Sequence, residues 1–117
     1  MNIHSYPMEL TQVFKLLSDE SKYKIIKRLM KGEECVCTLA EDLGLEQSLV
    51  SHHLNKLREA GLIVDRKVGS WVHCSLDRKA FEQIENLFQK ELATANIIDK
   101  PCSEHDICCQ LQKVGKI

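Results

Sequence analysis

At 117 residues, 44% of them hydrophobic and only 5% aromatic, the chain has room for one modest core built from Leu, Ile and Val and is too short for two independent ones. Its 16 basic and 17 acidic residues leave a net charge of −1, so global charge does not advertise nucleic acid or an anionic surface. No apolar run approaches the roughly 20 residues of a membrane span, and the opening MNIHSYPMEL lacks the basic and then apolar profile of a signal peptide, so a cytoplasmic location with no membrane partner is expected.

In chain order, Leu10, Val13, Phe14 and Leu17 predict a first amphipathic helix opening near Pro7, which suits an N-terminal turn. A second begins after Asp19, a good N-cap, and is expected to bury Ile25, Ile26, Leu29 and Met30 before Gly32 ends it. Glu33-Glu34-Cys35-Val36-Cys37 follows, and then TLAEDLGL. Thr38 and Glu41 have capping-box spacing, so a short third helix is expected from Thr38 to Gly44, with Cys35 and Cys37 ahead of it in non-helical chain. Leu45-Glu46 turns into a fourth helix with two opposed faces. Val50, His53, Leu54 and Leu57 form an inward stripe, while Ser48, Ser51, His52 and Asn55 form a row of short hydrogen-bonding side chains on the other side, suited to reading base edges. Gly61 can stop this helix in the left-handed conformation. Two β-branched runs, Leu62 to Val68 and Trp71 to Leu76, then flank Gly69-Ser70, a pair suited to a type II′ hairpin turn. Asp77 caps a fifth helix in which Ala80, Ile84, Leu87 and Phe88 keep helical spacing to about Leu92.

The expected fold is mainly α with a small β-hairpin: a winged helix-turn-helix of five helices plus a two-stranded wing, homodimeric through its first and fifth helices. Residues 1–95 would form the DNA-binding and dimerisation domain, and residues 96–117 a cysteine-containing tail with weak periodicity.

Six cysteines are a strong departure from average usage, and without a signal peptide they read as thiols kept for metal, metalloid or redox chemistry. Cys35 and Cys37 alternate i, i+2, so in an extended segment both sulfurs point the same way and can reach one ion; in a helix they would diverge. The competing reading is a pair of small buried hydrophobes. Two sulfurs rarely make a tight site, since a pyramidal arsenic centre wants three and a tetrahedral divalent ion wants four, so further donors would come from Cys74, the weakest candidate, or from Cys102, Cys108 and Cys109 of the tail, which either complete the Cys35/Cys37 site or form a separate three-thiol site. Cys74, on a strand beside Trp71 and Val72, is assigned to packing. His53, on the inward stripe, is expected to be a satisfied, partly buried residue.

The stretches LLSDESKYKIIKRL, CVCTLAEDLGLEQSLVSHHLNKLREAGL and DRKVGSWVHCSL, about Leu16 to Leu76, resemble the ArsR/SmtB family of metal- and metalloid-responsive repressors. The resemblance implies a winged-helix homodimer that represses a resistance operon and leaves double-stranded operator DNA when a toxic ion binds. It places Cys-Val-Cys where the family's thiolate-type sensors keep their metal-binding box. This chain departs from the arsenic-responsive box Glu-Leu-Cys-Val-Cys-Asp-Leu-Cys: Glu34 replaces the Leu, Thr38 the Asp and Ala40 the third Cys. Cys74 stands where an aromatic is common, and Glu46 where a Ser often caps the reading helix. The helix-five zinc site of other members is absent, because Asp77 is followed by Lys79, Lys90 and Ala93.

The function expected on these grounds is transcriptional repression by a protein that is not an enzyme. Gln47, Ser48, Ser51, His52 and Lys56 would lie in the major groove, with Arg66 and Lys67 on wing-side phosphates. The inducer would be a soft thiophilic ion, trivalent arsenic first, with antimony, Cd, Pb or Zn as alternatives, held by Cys35, Cys37, Cys102, Cys108 and Cys109. Two other readings stand beside it: a thiol-based redox or reactive-sulfur sensor on the same scaffold, and a thiol metal buffer.

Overall fold

The computed structural model describes residues 8–102. Pro7, Cys108 and Cys109 therefore lie outside the described residues. The elements are α1 (Leu10–Leu17), α2 (Glu20–Leu29), β1 (Glu34–Cys35), α3 (Val36–Leu43), α4 (Gln47–Glu59), β2 (Ile63–Val68), β3 (Trp71–Leu76) and α5 (Arg78–Leu92), with a short 3-10 turn at Thr94–Asn96. All five helices and the hairpin expected from periodicity are present. Asp19 and Asp77 cap α2 and α5 through the backbone N–H groups of Lys22 and Lys79, each at 3.0 Å.

The core forms where the apolar stripes of three helices meet the base of the wing. Ile25, Ile26 and Leu29 of α2, Leu39 and Ala40 of α3, and Val50, Leu54 and Leu57 of α4 close over Leu62, Ile63 and Cys74. The i, i+4, i+7 stripe of α4 is thus buried as its spacing requires, with His53 beside it at 8% exposure. One expectation about the periphery fails. Met30 is the C-cap of α2 and is 57% exposed, because the helix stops one residue before it and its side chain leaves the inward stripe. Phe14 of α1 and Phe88 of α5 keep helical spacing and are exposed, on two helices that pack against each other.

The wing is a two-residue hairpin with Val68 opposite Trp71. Gly69 takes φ 62 while, among the described residues, no non-glycine residue has positive φ, as a type II′ turn requires. Sequence periodicity missed the third strand: β1, only two residues long, adds to the hairpin in the antiparallel order β1-β3-β2. Glu34 lies opposite Cys74, and Cys35 opposite His73. Directly opposed residues share a face, so one row across the sheet reads Glu34, Cys74, Asp65 and the next Cys35, His73, Arg66. The segment carrying the first thiol is therefore part of the wing sheet.

Candidate thiol site and nucleic-acid interface

The third helix begins at Val36, two residues before the expected start, and Cys35 is its N-cap in extended conformation. The Thr38/Glu41 spacing misplaced the boundary because β1 pairing holds Cys35 extended and lets the helix start directly behind it. Cys37 is consequently helical, yet the sulfurs do not diverge: Cys35 Sγ and Cys37 Sγ are 3.3 Å apart. An N-cap side chain folds back over the first turn, and that turn is where Cys37 sits. Thr38 Oγ1 lies 3.1 Å from Cys35 Sγ.

These neighbours separate the two thiols. Cys35 is held below its ordinary value by the Thr38 hydroxyl first, then by the Thr38 backbone N–H and by Cys37, against opposition from burial and from Glu34. Cys37 is raised, chiefly by its hydrogen bond with Cys35 and then by burial. The pair thus favours one thiolate, on Cys35, with a thiol donating to it. Both are partly exposed.

Cys74 is different. It is fully buried, and burial first, with Asp65 adding to it, pushes its thiol up to about 11. Arg58 Nη2 lies 3.7 Å from its sulfur and donates to Asp65 Oδ1 at 3.0 Å. Arg58 Nε is 2.8 Å from Asp65 Oδ2 without hydrogen-bond alignment, so that contact is ionic. The packing role assigned to Cys74 is what its surroundings provide. Cys102 is disulfide-bonded, so in this state its sulfur is not a thiolate donor. Among the described residues no group of three or more His, Cys, Asp or Glu is arranged to hold a metal, so the two sulfurs stand without a third donor there.

A clamp fixes the thiol segment to the helices. Arg28 of α2 donates through Nη2 to Glu34 Oε2 at 2.9 Å and lies 3.1 Å from Asp42 of α3. Glu34 Oε1 in turn accepts from the Cys35 backbone N–H at 3.2 Å. Glu34, the departure from the box residue Leu, is thus used twice, as ion-pair partner and as backbone acceptor. Sequence reading marked the departure and assigned it no role; the charge of Arg28 six residues earlier was the available signal.

The expected reading face forms as a surface. Gln47, Ser48, His52, Asn55 and Lys56 of α4 are exposed and Ser51 is half-buried, while Val50, His53, Leu54 and Leu57 point inward. His53 departs from expectation: Nδ1 has no hydrogen-bond partner among the described residues, and burial first, with Lys22 and His52, lowers its pKa against the pull of Asp19. Of the wing cations, Lys67 is exposed. Arg66 is bound to Glu33, its Nε donating to Oε2 at 3.2 Å and its Nη2 to Oε1. This pairing spans thirty-three residues of sequence and distinguishes Arg66 from Lys67, the two residues expected on wing-side phosphates.

Residues 19–64 match the family model described as bacterial regulatory protein, arsR family. The chain is 48% identical over 66 residues to the arsenical resistance operon repressor of Escherichia coli (strain K12), a match covering 56% of each chain. It is 38% identical over 92 residues to the cadmium resistance transcriptional regulatory protein CadC homolog of Staphylococcus aureus, covering 75% of this chain and 76% of the relative. A solved structure, described as a possible transcriptional regulator for arsenical resistance, superposes with TM-score 0.59 at 30% identity, covering 66% of this chain and 80% of the other. The chain therefore spans little more than half of the Escherichia coli relative and about three quarters of the staphylococcal one.

Proposed function

This chain belongs to the arsR family of bacterial regulatory proteins, DNA-binding transcriptional regulators rather than enzymes, and from that premise we propose that it represses an operon and is released from its operator by a soft thiophilic ion, trivalent arsenic first, bound through Cys35 and Cys37. One observation carries the ion: two sulfurs 3.3 Å apart at the start of α3, one of them lowered toward thiolate. With thiolate bonds of about 2.3 Å, that separation subtends an angle of about 90°, whereas a tetrahedral centre would hold its sulfurs about 3.8 Å apart. The spacing supports a pyramidal centre over a tetrahedral one. Antimony shares that preference, and Cd, Pb or Zn would require the pair to open. The similarity to a cadmium resistance regulator keeps the divalent ions in view.

A pyramidal centre needs one more sulfur, and we assign it to the tail, from Cys102, Cys108 or Cys109. Cys102 must first be reduced, because a disulfide sulfur is not a soft anionic donor. Residues 1–95 act as the DNA-binding and dimerisation domain and residues 96–117 as the ligand-completing tail. Dimerisation is assigned to α1 and α5, where Phe14 of the one and Phe88 and Leu92 of the other are exposed apolar side chains and Leu87 is half-buried. On DNA, Gln47, Ser48, Ser51, His52 and Lys56 face the major groove and Lys67 a phosphate.

The disulfide at Cys102 favours one alternative, a redox-sensing repressor on the same scaffold. Arsenite titration of an operator complex, followed by anisotropy of labelled DNA under reducing conditions, separates the two. The ion reading predicts release by the full chain, none by Cys35→Ser or Cys37→Ser, and weaker inducer affinity with near-normal DNA binding when the chain after Lys100 is deleted. Release of all variants at unchanged arsenite, with loss only of a peroxide or persulfide response, would replace it with the redox reading.

A further inference from the structure

Glu33, immediately before β1, sets its carboxylate against both strands of the wing. Arg66 of β2 engages both oxygens, Nε on Oε2 at 3.2 Å and Nη2 on Oε1, while Nδ1 of His73 on β3 lies 3.6 Å from Oε1. Arg66 and His73 are opposed in the β2–β3 ladder, and His73 is opposed to Cys35. The carboxylate thus gathers the row that contains the first thiol. The β1 ladder reaches β3 only, so among the ion pairs of the described residues Glu33–Arg66 is the link from the thiol segment to β2. A two-pronged carboxylate–guanidinium contact fixes orientation as a single-point ammonium contact does not. As an exposed pair it adds little to stability, so its consequence is geometric. Arg66 is 62% exposed and would be free to turn toward a phosphate if Glu33 let go.

We propose that Glu33 is the positioning residue that couples the thiol segment to the wing, keeping Arg66 off the DNA backbone and making the wing move with Cys35 when an ion draws on the sulfur pair. The inference rests on the ion-released repressor reading. Glu33 and Cys35 are separated by one residue of extended chain, itself clamped by Arg28, so a displacement at the sulfur reaches the carboxylate with little slack. From there it passes through Arg66 to the strand that carries Lys67. Connected hydrogen bonds and ion pairs are a route by which single residues modulate coupling between sites.

The test uses the full, reduced chain and its own promoter DNA, comparing wild type, Glu33→Ala, Arg66→Ala, the double variant and Lys67→Ala. Glu33→Gln serves as a milder version that keeps the side chain's shape. Two quantities are read: the slope of log affinity against log salt without ion, and the arsenite-induced rise in operator Kd. Lys67→Ala should lower the slope by about one unit, Arg66→Ala should leave it unchanged, and Glu33→Ala should raise it by about one unit, a rise cancelled in the double variant. Arsenite affinity of the free proteins, followed by thiolate–arsenic absorbance, should stay within about twofold of wild type. The arsenite-induced rise in Kd should shrink about fivefold in each single variant and no further in the double. The proposal is overturned if Arg66→Ala lowers the slope as Lys67→Ala does, or if either single variant releases DNA with the wild-type fold-change. If wild type itself shows no arsenite-dependent release, the repressor reading fails and the coupling role with it; the slopes still decide whether Glu33 withholds Arg66.

Discussion

Two cysteine environments lie within one residue of each other across the β1–β3 ladder, and they make opposite chemistry from the same side chain. Cys35 is extended at a helix start, partly exposed, and lowered toward thiolate by Thr38. Cys74, opposite Glu34, is fully buried against Asp65 and its thiol is pushed up to about 11. Residue type alone does not separate a ligand from a packing group; the separation comes from surroundings, Cys35 lying at the start of α3 beside Thr38 and Cys74 among the buried core residues.

Exchanging serine into the two environments should produce the largest contrast. Cys35→Ser should abolish arsenite-induced release while leaving the melting temperature nearly unchanged. Cys74→Ser should keep the response and cost about 1–3 kcal/mol of stability by denaturant titration, because a hydroxyl in that site gives up apolar packing and must find a partner. Equal loss of response in both variants would erase the distinction. A smaller effect isolates its cause. Thr38→Val removes the hydroxyl 3.1 Å from Cys35 Sγ, so alkylation of Cys35 at neutral pH should slow severalfold by peptide mass spectrometry, with Cys74 unreactive in both proteins until unfolding. An unchanged Cys35 rate would mean that Thr38 does not set its thiolate fraction.

The same logic of burial against titration reaches His53, with the smallest expected effect. Its folded pKa is lowered, so the unfolded chain takes up the proton more readily. The neutral imidazole's contribution is complete above the unfolded value of about 6.5 and is lost as pH falls through that value toward the folded one. His53→Gln should therefore flatten the decline in stability between neutral and mildly acidic pH by a fraction of a kcal/mol. A steeper decline in the variant would contradict the sign.

How much of this was legible in the sequence follows the range of the interactions. The α4 stripe of Val50, His53, Leu54 and Leu57, the Asp19 and Asp77 caps, and the Gly69-Ser70 turn are local, and each formed as its spacing required. What escaped was non-local or cooperative. A two-residue strand has no periodicity to read, and its partners lie about forty residues on, Cys74 opposite Glu34 and His73 opposite Cys35. That pairing moved the start of α3 from Thr38 to Val36 and drew the sulfurs together by a route the sequence did not suggest. Arg66 was read as a free wing cation because Glu33 is distant in sequence and adjacent only once β1 joins the sheet.

Arsenic bound by the Cys35/Cys37 pair is the step from which release of the operator follows. X-ray absorption at the arsenic edge, on the reduced full chain loaded with one equivalent of arsenite and on the Cys35→Ser, Cys37→Ser double variant, reads this directly. Three sulfurs at about 2.3 Å in the wild-type chain, giving way to oxygen in the double variant, is the predicted result. An unchanged sulfur shell in the double variant would place the ion elsewhere and contradict it.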